Sequence, residues 1–356
     1  MIDLTRVTTP SPDVHTVDRD PGHDWAKLPV PALDAPPDAD IRPDPAATWS
    51  ADGVRTGLCG TVSPRIVRLA DGSCRVYYTQ ILPSGDDNPT GANDYDKSTT
   101  RILSARSTDG ITWTPEPGVR VTAEQGGAGN RRVVSSEVVP HPDGSGRLRM
   151  YFEACAGAQR GASFIRSAVS EDGLAWQVED GDRFSAPNAY FSAVRILFLA
   201  DGRLRLFVNR RGAGVVSAIS TNCGDSFEEE GIRLPDDDGA FAIELLRLPS
   251  GTYRCYYSAR TDDAAARAGG GQKIVTALSD DGLTWSRDVG ADGAGAAVVP
   301  TGEGPDARKC SEMCVYPLPE DTPGYGMLYE GCDGTTPNAR GVWRVAGAQT
   351  RYARTA

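Results

Sequence analysis

Short runs in which apolar and polar residues alternate recur in pairs from residue 60 onward. A period of two is typical of β-strands that bury one face. In each pair a tight turn, rich in Asp and Gly, joins a first run to a second run that contains aromatic residues. The first runs lie at 62–67, 135–139, 193–197, 242–246 and 312–316, and the second runs begin at Arg75, Arg149, Arg205, Arg254 and Met327. The pattern predicts five similar β units.

A turn motif follows the third run of most units. It occupies residues 107–113, 170–176 and 279–285, each with Ser first, Asp third, Gly fourth and Trp last, and a looser copy at 220–227 ends in Phe. Gly accepts a positive φ, and Asp can hydrogen-bond the turn backbone. The closing aromatic residues at 113, 176, 227 and 285 lie 63, 51 and 58 residues apart, which indicates a repeated supersecondary unit.

Five four-stranded units predict an all-β fold, a five-bladed β-propeller, because radial repetition leaves only short sheet edges. We expect two regions: an extended, proline-rich N-terminal arm at residues 1–48 and the propeller at 49–356. The last unit ends near Trp343 without a turn motif, and residues 49–53 resemble a degenerate copy of it. We therefore expect residues 50–58 to supply the outer strand of the last blade.

Composition and charge narrow the function classes. The formal net charge of -11, without a basic run, disfavours nucleic acid and anionic membrane surfaces as partners. There is no apolar run of membrane-spanning length and no secretion signal, so we expect a cytoplasmic protein. The eight cysteines are scattered, and we expect most to be buried free thiols.

Blades with Ser-x-Asp-Gly-x-Thr-Trp turns and second strands containing Tyr-Tyr resemble the five-bladed propeller glycosidases. These include the arabinanase/xylosidase, invertase and mannoside phosphorylase families, and the turn is similar to the Asp-box of sialidases. The resemblance covers residues 50–356 and lies in structural motifs, so it implies the fold more strongly than the activity. It further implies a site where the inner strands open at the mouth of the propeller.

Charged residues occupy one register in the predicted inner strands. Six positions before each hairpin turn lie Arg65, Glu137, Arg195 and Glu244, while Cys314 holds that register in the fifth unit with Glu312 two residues earlier. Charges are rarely placed in apolar strands unless they are paired or used. They could form a catalytic site, or they could be solvated or make a structural ring of ion pairs.

The families that the chain resembles carry three acids on the first strands of the first three blades. Here Ser63 and Pro64 stand where Asp-Pro would be expected, and Ala193 and Arg195 lie where the proton donor would be. The remaining inner-strand carboxyls are Glu137, Glu244 and Glu312, and we predict that Glu137 acts together with Glu244 or Glu312 as acid and base. Glycoside hydrolysis usually needs two carboxyl groups at a defined separation, so the ordinary family mechanism is in doubt.

Other polar residues are candidates for substrate binding at the mouth. Arginines that converge there could bind an anionic group with their planar forks. The loop at 84–100 could chelate a hard cation such as Ca²⁺ or bind a polyhydroxyl ligand, although Asp/Asn-rich loops are usually only solvated. We otherwise expect no cofactor. The predicted substrate-binding residues are Arg65, Ser63, Arg195, Glu153, Arg210, Arg260, Glu330, Asp94 and Tyr95.

Two function classes fit the sequence. The first is a glycosidase-like enzyme that uses carboxylate acid/base chemistry on a polyhydroxylated, anionic small molecule, either for hydrolysis or for an elimination, cyclisation or transfer step in a biosynthetic pathway. The second is a non-catalytic propeller that binds carbohydrate or serves as a scaffold. The positions of the carboxyl groups distinguish them: acids that face one pocket favour catalysis, and acids that are each locked to an arginine favour a structural role.

Overall fold

The computed structural model describes residues 16–34, 59–83, 98–155, 162–262, 271–290, 295–319, 324–334 and 342–350. The described chain is almost entirely β-structure, arranged as five sheet units, as the alternating pattern predicted. Its helical content is limited to short 3-10 segments at Glu124–Gly126, Asp236–Asp238 and Gly304–Asp306. None of the described segments forms a helix with the length and apolar character that a membrane crossing requires.

The strands follow the chain in order through the five units, which we call blades I to V. A first short strand is β1 (Trp25–Lys27). Blade I contains β2 (Cys59–Arg68), β3 (Cys74–Pro83), β4 (Ser98–Ser107), β5 (Thr114–Pro115) and β6 (Val121–Thr122). Blade II contains β7 (Arg132–Pro140), β8 (Leu148–Cys155), β9 (Ser163–Ser170) and β10 (Gln177–Val178). Blade III contains β11 (Phe191–Phe198), β12 (Leu204–Arg210), β13 (Gly214–Ser220) and β14 (Glu228–Pro235).

Blades IV and V complete the set. Blade IV contains β15 (Phe241–Arg247), β16 (Tyr253–Arg260), β17 (Gln272–Ser279), β18 (Ser286–Asp288) and β19 (Ala296–Val298). Blade V contains β20 (Lys309–Pro317), β21 (Tyr325–Cys332) and β22 (Val342–Thr350). Within each blade the strands pair antiparallel in chain order, except that β5 and β6 both pair with β4, and β18 and β19 both pair with β17. Short parallel contacts join β17 to β20 and β2 to β22. The five predicted first runs lie in the inner strands β2, β7, β11, β15 and β20.

The repeated turn motif is held by its own side chains. In the first copy Asp109 accepts hydrogen bonds from the backbone N–H groups of Ile111 (2.8 Å) and Thr112 (2.7 Å), and the Ser107 hydroxyl accepts one from Gly110 N–H (2.8 Å). Gly110 has φ +72°, a conformation that glycine adopts without steric cost. These bonds to the ionised carboxylate hold the pKa of Asp109 at about 2 against the opposing effect of burial.

Three of these turns also fasten one blade to the next. Tyr77 of blade I donates to Gly173 O in the turn of blade II (2.8 Å), and its ring meets Trp176 edge-on. Tyr151 of blade II repeats the contact with Gly224 O (3.4 Å) in blade III. Tyr316 of blade V does so with Gly110 O (2.6 Å) in blade I. The motif therefore serves as an inter-blade fastening, which explains why the chain repeats it.

The N-terminal segment supplies the parts that blade V lacks. Strand β1 pairs antiparallel with β22, from Trp25 opposite Thr350 to Lys27 opposite Ala348, and so forms the outer strand. We predicted that residues 50–58 would take this place; those residues lie outside the described ones, and β1 occupies the position instead. A segment of the predicted arm is thus part of the last blade.

A turn at residues 20–22 takes the place of the missing turn motif. Asp20 accepts a hydrogen bond from Gly22 N–H (2.9 Å), and Gly22 has φ +64°. Tyr256 of blade IV donates to Gly22 O (2.6 Å), while its ring meets Trp25 edge-on at 5.9 Å. Trp25 therefore fills the role that Trp176 has in blade II, although the segment lacks the motif's initial Ser.

The apolar core lies in layers between neighbouring blades. One layer joins Val67 and Ile102 of blade I to Val138 and Met150 of blade II, and comparable clusters join the other blades. All seven cysteines whose side chains the structure describes are free thiols, and all except Cys223 are buried. The blades therefore hold together by apolar packing and hydrogen bonds, with their inner strands gathered round one axis.

Candidate functional site

Every inner strand carries a β-bulge with a left-handed residue at the same register. These residues are Ser63, Ser135, Ala193, Ala242 and Glu312, with φ between 37° and 56°. A positive φ costs about 1–2 kcal/mol for an L-residue, and bulges commonly re-aim side chains near functional sites. The repetition in all five blades marks this level of the axis as a candidate site. The charged residues that we predicted lie two positions later.

Glu312 is the only acid among the five described residues at the bulges. Its carboxylate accepts a hydrogen bond from Ser135 Oγ (2.6 Å) and another from Ser63 Oγ (2.8 Å), and it lies 3.7 Å from Arg65 Nη2. Ser63 stands where the related families carry an acid, so the carboxyl group at this level comes from blade V and not from blade I. The backbone N–H of Glu312 donates a hydrogen bond to Ser258 Oγ (3.1 Å). The carboxylate is thus buried, oriented and supplied with donors.

Glu330 lies beside Glu312 on the neighbouring strand β21. Ser311 Oγ donates to Glu330 (3.0 Å), and a hydrogen bond between the two carboxyl groups is one of the causes that shift their pKa values in opposite directions. Burial and then the nearby Glu312 charge raise the pKa of Glu330 well above its usual range. Burial alone would raise the pKa of Glu312 as well, but the donors Glu330, Ser135 and Ser63 and the charge of Arg65 lower it. One carboxyl group is therefore held protonated beside an ionised one.

A third carboxyl group, Glu153, lies at the same end of the axis in blade II. It is opposite Val134 in the β7–β8 pair and accepts a hydrogen bond from the Tyr190 hydroxyl. Burial raises its pKa to about 8, the neighbouring Glu312 charge adds to the rise, and Tyr190 and Arg132 oppose it. Glu153 is thus a second buried acid that stays protonated at neutral pH.

One register further along the inner strands, Arg65, Glu137, Arg195 and Glu244 form a charged belt across the axis. Arg195 Nε donates to Glu244 (2.8 Å), and Arg195 Nη1 lies 3.7 Å from Glu137. Arg65 Nε lies 3.5 Å from the same Glu137 oxygen. Both arginines also donate to Met313 O, at 3.0 Å from Arg65 and 2.9 Å from Arg195. The four residues converge as the sequence predicted, and each acid has an arginine partner.

The other predicted site residues lie apart from these groups or outside the described residues. Arg210 pairs with Glu229 (2.7 Å) on the outer strand β14, and Arg260 lies 3.5 Å from Asp236. The structure therefore brings Arg65 and Arg195 together, while Arg210 and Arg260 have their own acidic partners away from the belt. Asp94 and Tyr95, with most of the loop at 84–100, lie outside the described residues, so their roles stay predictions.

Sequence reasoning did not single out Ser135 or Ser311. Ser135 precedes Glu137 by two residues, as Ser63 precedes Arg65, so the shared register could have identified it. Ser311 is recognisable only once β20 and β21 are paired, because it faces Glu330 across the sheet. Together with Ser63, these hydroxyls supply three of the donors that orient the Glu312–Glu330 pair.

Similar solved structures support the fold that the motifs indicated. The catalytic domain of a GH62 α-L-arabinofuranosidase from Coprinopsis cinerea is 13% identical, with a TM-score of 0.62 over 94% of this chain and 99% of that one. A thermostable family-43 glycoside hydrolase is 15% identical, with a TM-score of 0.59 over 83% and 91% of the two chains. An N-acetylgalactosamine deacetylase from F. plautii, solved with blood group B trisaccharide, is 16% identical, with a TM-score of 0.61 over 91% and 95%.

No family model matches the chain, and no curated protein sequence matches it significantly. The structural similarity therefore rests on the fold, which is that of the five-bladed propeller glycosidases, as predicted. At these identities it does not transfer an activity. The function has to be argued from the carboxyl groups themselves.

Proposed function

We propose that the protein is a glycosidase-like propeller enzyme that acts on a polyhydroxylated small molecule by carboxylate acid/base chemistry at the mouth of the axis. Glu312 is the base, and Glu330 and Glu153 are the candidate acids. Catalytic acids and bases are recognised by environments that push the pKa values of neighbouring groups apart. The observation that carries the proposal is the contact of Glu312, whose pKa is lowered, with Glu330, whose pKa is raised.

The belt acids Glu137 and Glu244 have a supporting role in this proposal. The sequence predicts Glu137 together with Glu244 or Glu312 as acid and base, but Glu137 and Glu244 are each matched by an arginine. Arg65 links the two levels, because it approaches both Glu137 and Glu312. Arg65 thus stabilises the ionised form of Glu312, and we assign the proton transfers to Glu312, Glu330 and Glu153.

The distances between the carboxyl groups separate two reaction types. Acid and base must lie about 5–10 Å apart to flank a glycosidic bond, and Glu312 and Glu330 are in direct contact. Hydrolysis would therefore pair Glu312 with Glu153. The Glu312–Glu330 dyad instead suits a reaction that removes a proton and returns one to a nearby atom, such as an elimination, a cyclisation or an intramolecular transfer.

Nitrophenyl glycosides of pentoses and hexoses are suitable first substrates, because the similar structures include an arabinofuranosidase and a xylosidase. We expect Glu312→Gln to lower kcat by at least about 100-fold, the ordinary contribution of general acid/base catalysis. Glu153→Gln should abolish hydrolysis, and Glu330→Gln should spare it. An elimination, cyclisation or transfer would be followed by NMR on unmodified sugars and sugar acids. For such a reaction we expect Glu330→Gln to abolish turnover and Glu153→Gln to spare it.

Glu228→Gln is the matched control, since Glu228 lies exposed on β14. It should leave every rate unchanged. If a folded Glu312→Gln variant turned over substrate at the wild-type rate, Glu312 would have no part in the mechanism. Loss of turnover in Glu137→Gln, with the thermal stability unchanged, would return the catalytic role to the belt.

A non-catalytic carbohydrate-binding propeller is the second candidate. It is favoured by Ser63 and Ala193, which stand where the related enzymes carry acids, and by the arginine partners of Glu137 and Glu244. Binding of sugars by the wild type without turnover of any substrate class would support it. An anionic substrate stays a prediction from the sequence, because the four arginines proposed to bind it have carboxylate partners in the structure.

A further inference from the structure

Tyr190 connects two neighbouring blades at one of the buried acids. It directly precedes β11 of blade III, and its hydroxyl donates a hydrogen bond to Oε1 of Glu153 on β8 of blade II. Tyr190 is 7% exposed and Glu153 is 1% exposed, so water does not compete effectively for this contact. A hydrogen bond is electrostatically stronger in such surroundings than in water. The Tyr190 hydroxyl can therefore control the state of the Glu153 carboxyl group.

The backbone around Tyr190 is held by both blades. Ser163 of β9 binds the two flanking residues: its N–H donates to Ala189 O (3.1 Å), and its hydroxyl accepts from Phe191 N–H (2.7 Å) and donates to Phe191 O (2.6 Å). Within blade III, Tyr190 O accepts a hydrogen bond from Arg211 N–H (3.0 Å). Side chains that must act with defined geometry are usually supported in this way. The hydroxyl is thus presented to blade II from a fixed position.

The direction of the Tyr190 hydrogen bond determines where Glu153 carries its proton. A protonated carboxyl group has one O–H that donates, and its other oxygen can only accept. Because the Tyr190 hydroxyl donates to Oε1, the acidic proton of Glu153 lies on Oε2. Oε2 is therefore the atom from which Glu153 can give up a proton.

Two influences raise the pKa of Glu153 and two lower it. Burial is the largest and raises it, and the Tyr190 hydrogen bond comes next and lowers it. The positive charge of Arg132 on β7 also lowers the pKa, and the negative charge of Glu312 on β20 raises it. Arg132 directs its Nη2 to Cys155 Sγ (3.1 Å) and acts on Glu153 through its charge. Among these groups, Tyr190 is the strongest that favours the carboxylate.

We propose that Tyr190 is a positioning residue for Glu153: it keeps the acidic proton on Oε2 and stabilises the carboxylate that remains after this proton has left. The inference rests on the role of Glu153 as an acid in the proposed function. When the proton passes to the leaving oxygen of a glycoside, the bond electrons stay on Glu153, and the Tyr190 hydroxyl donates to the resulting anion. Tyr190 acts through Glu153 and does not touch the substrate.

Carbon-13 NMR of protein labelled at the glutamate carboxyl carbons measures the pKa of Glu153, and Glu153→Gln assigns its signal. We expect Tyr190→Phe to raise this pKa by about one pH unit, because the lost donor stabilises the ionised form. Incorporation of 3-fluorotyrosine at position 190 provides a more acidic hydroxyl, which is a stronger donor, and should lower the pKa. These opposite shifts are measured without any substrate.

Tyr151→Phe is the matched control. Tyr151 also donates across the interface of blades II and III, to Gly224 O (3.4 Å), but it is not among the groups that act on Glu153. It should leave the pKa of Glu153 unchanged.

Kinetics give a second readout of the positioning role. On nitrophenyl glycosides, Tyr190→Phe should lower kcat about tenfold with KM unchanged, since the group acts in proton transfer and not in binding. The pH at which kcat falls on the alkaline side should rise together with the pKa of Glu153, because the acid must be protonated to act. Tyr151→Phe should change neither quantity.

An unchanged pKa of Glu153 in Tyr190→Phe would overturn the proposal, and so would equal shifts in Tyr190→Phe and Tyr151→Phe. A lowered pKa in Tyr190→Phe would also overturn it, because Glu153 would then be the donor. If Tyr190→Phe does not fold, the fluorotyrosine protein decides, and a pKa that does not fall there counts against the proposal. Failure of the proposed function looks different: Glu153→Gln would hydrolyse glycosides at the wild-type rate, while the expected pKa shifts would still confirm the Tyr190–Glu153 pairing.

Discussion

Buried charge at the axis is the main feature at the scale of single residues. The described inner strands bury six charged side chains, which are Arg65, Arg132, Glu137, Arg195, Glu244 and Glu312. A buried ion is tolerated only when partners replace its hydration. Here those partners are charged side chains of neighbouring blades, serine hydroxyls and backbone carbonyls. The buried charges are therefore stable only when the ring is closed.

The stability of the protein should depend on pH through Glu153. Burial raises its folded pKa to about 8, whereas the unfolded value lies near the ordinary 4.5. Between these values the folded state keeps a proton that the unfolded state has released, so the free energy of unfolding falls as the pH rises through this window. Glu153→Gln keeps an acceptor for Tyr190 but cannot titrate. The melting temperature should therefore fall less between pH 5 and pH 8 in this variant, with exposed Glu228→Gln as the control. An unchanged slope would contradict the assignment.

Arg195 should be the most costly belt residue to remove. It is 1% exposed and donates to Glu244, Val194 O and Met313 O. Arg195→Met removes a positive charge that faces the buried carboxylates of Glu137 and Glu244. The free energy of unfolding should therefore fall by about 3–5 kcal/mol. The double variant Arg195→Met/Glu244→Met removes one acid as well and should recover much of the loss. Urea unfolding measures both, and a double variant less stable than the single one would show that the pair does not act as a unit.

The sequence predicted the belt but not the carboxyl pair above it. Arg65, Glu137, Arg195 and Glu244 share one distance from their hairpin turns, so counting along the strands places them together. Glu330 and Glu153 were selected as loop candidates without partners. Their environment depends on Tyr190, which directly precedes β11, on Glu312 of β20, and on a bulge that turns Glu312 toward Ser63 and Ser135. Strand alternation does not reveal such a bulge.

At the scale of elements, the N-terminal segment replaces a missing turn and a missing strand. Asp20 and Gly22 form the turn, Trp25 packs on Tyr256, and Arg254 binds Asp20 through two hydrogen bonds of 2.6 and 2.8 Å. The repeated motifs predicted the regular blades because their Ser, Asp, Gly and Trp keep a fixed spacing. The substitute was missed because Pro21 follows Asp20 and no alternating strand precedes it.

Variants of this segment should measure its contribution to the last blade. Trp25→Ala should lower the free energy of unfolding by about 3–5 kcal/mol, since the buried ring packs on Tyr256. Tyr256→Phe should cost about 1 kcal/mol by removing the hydrogen bond to Gly22 O. Tyr253→Phe is the control, because its half-buried hydroxyl makes no hydrogen bond with the described residues. Denaturant unfolding provides the values. A stable Trp25→Ala protein would show that the segment is dispensable.

At the scale of the whole molecule, five interfaces close the ring, and one differs from the others. Tyr77, Tyr151, Tyr256 and Tyr316 each donate to a glycine carbonyl at the next turn. Blade III has Phe207 at the register of Tyr77 and Tyr151, so this hydroxyl is absent at its interface with blade IV. Phe207 is fully buried, which leaves apolar packing to hold this interface.

Phe207→Tyr should therefore strengthen the ring. The added hydroxyl can donate to Gly282 O in the turn of blade IV, and the free energy of unfolding should rise by about 1 kcal/mol. Tyr151→Phe, the reverse change one blade earlier, should lower it by a similar amount. Urea unfolding of both proteins gives the comparison. A fall in stability with Phe207→Tyr would indicate that the interface is packed too tightly to admit an oxygen atom.

The pairing of β1 with β22 has a consequence for synthesis on the ribosome. During synthesis Trp25 leaves the exit tunnel well before its partner Thr350, which is made more than 300 residues later. Blades I to IV can form while translation continues, but the outer edge of the last sheet stays open until β22 has emerged. Closure of the ring therefore waits for the synthesis of β22.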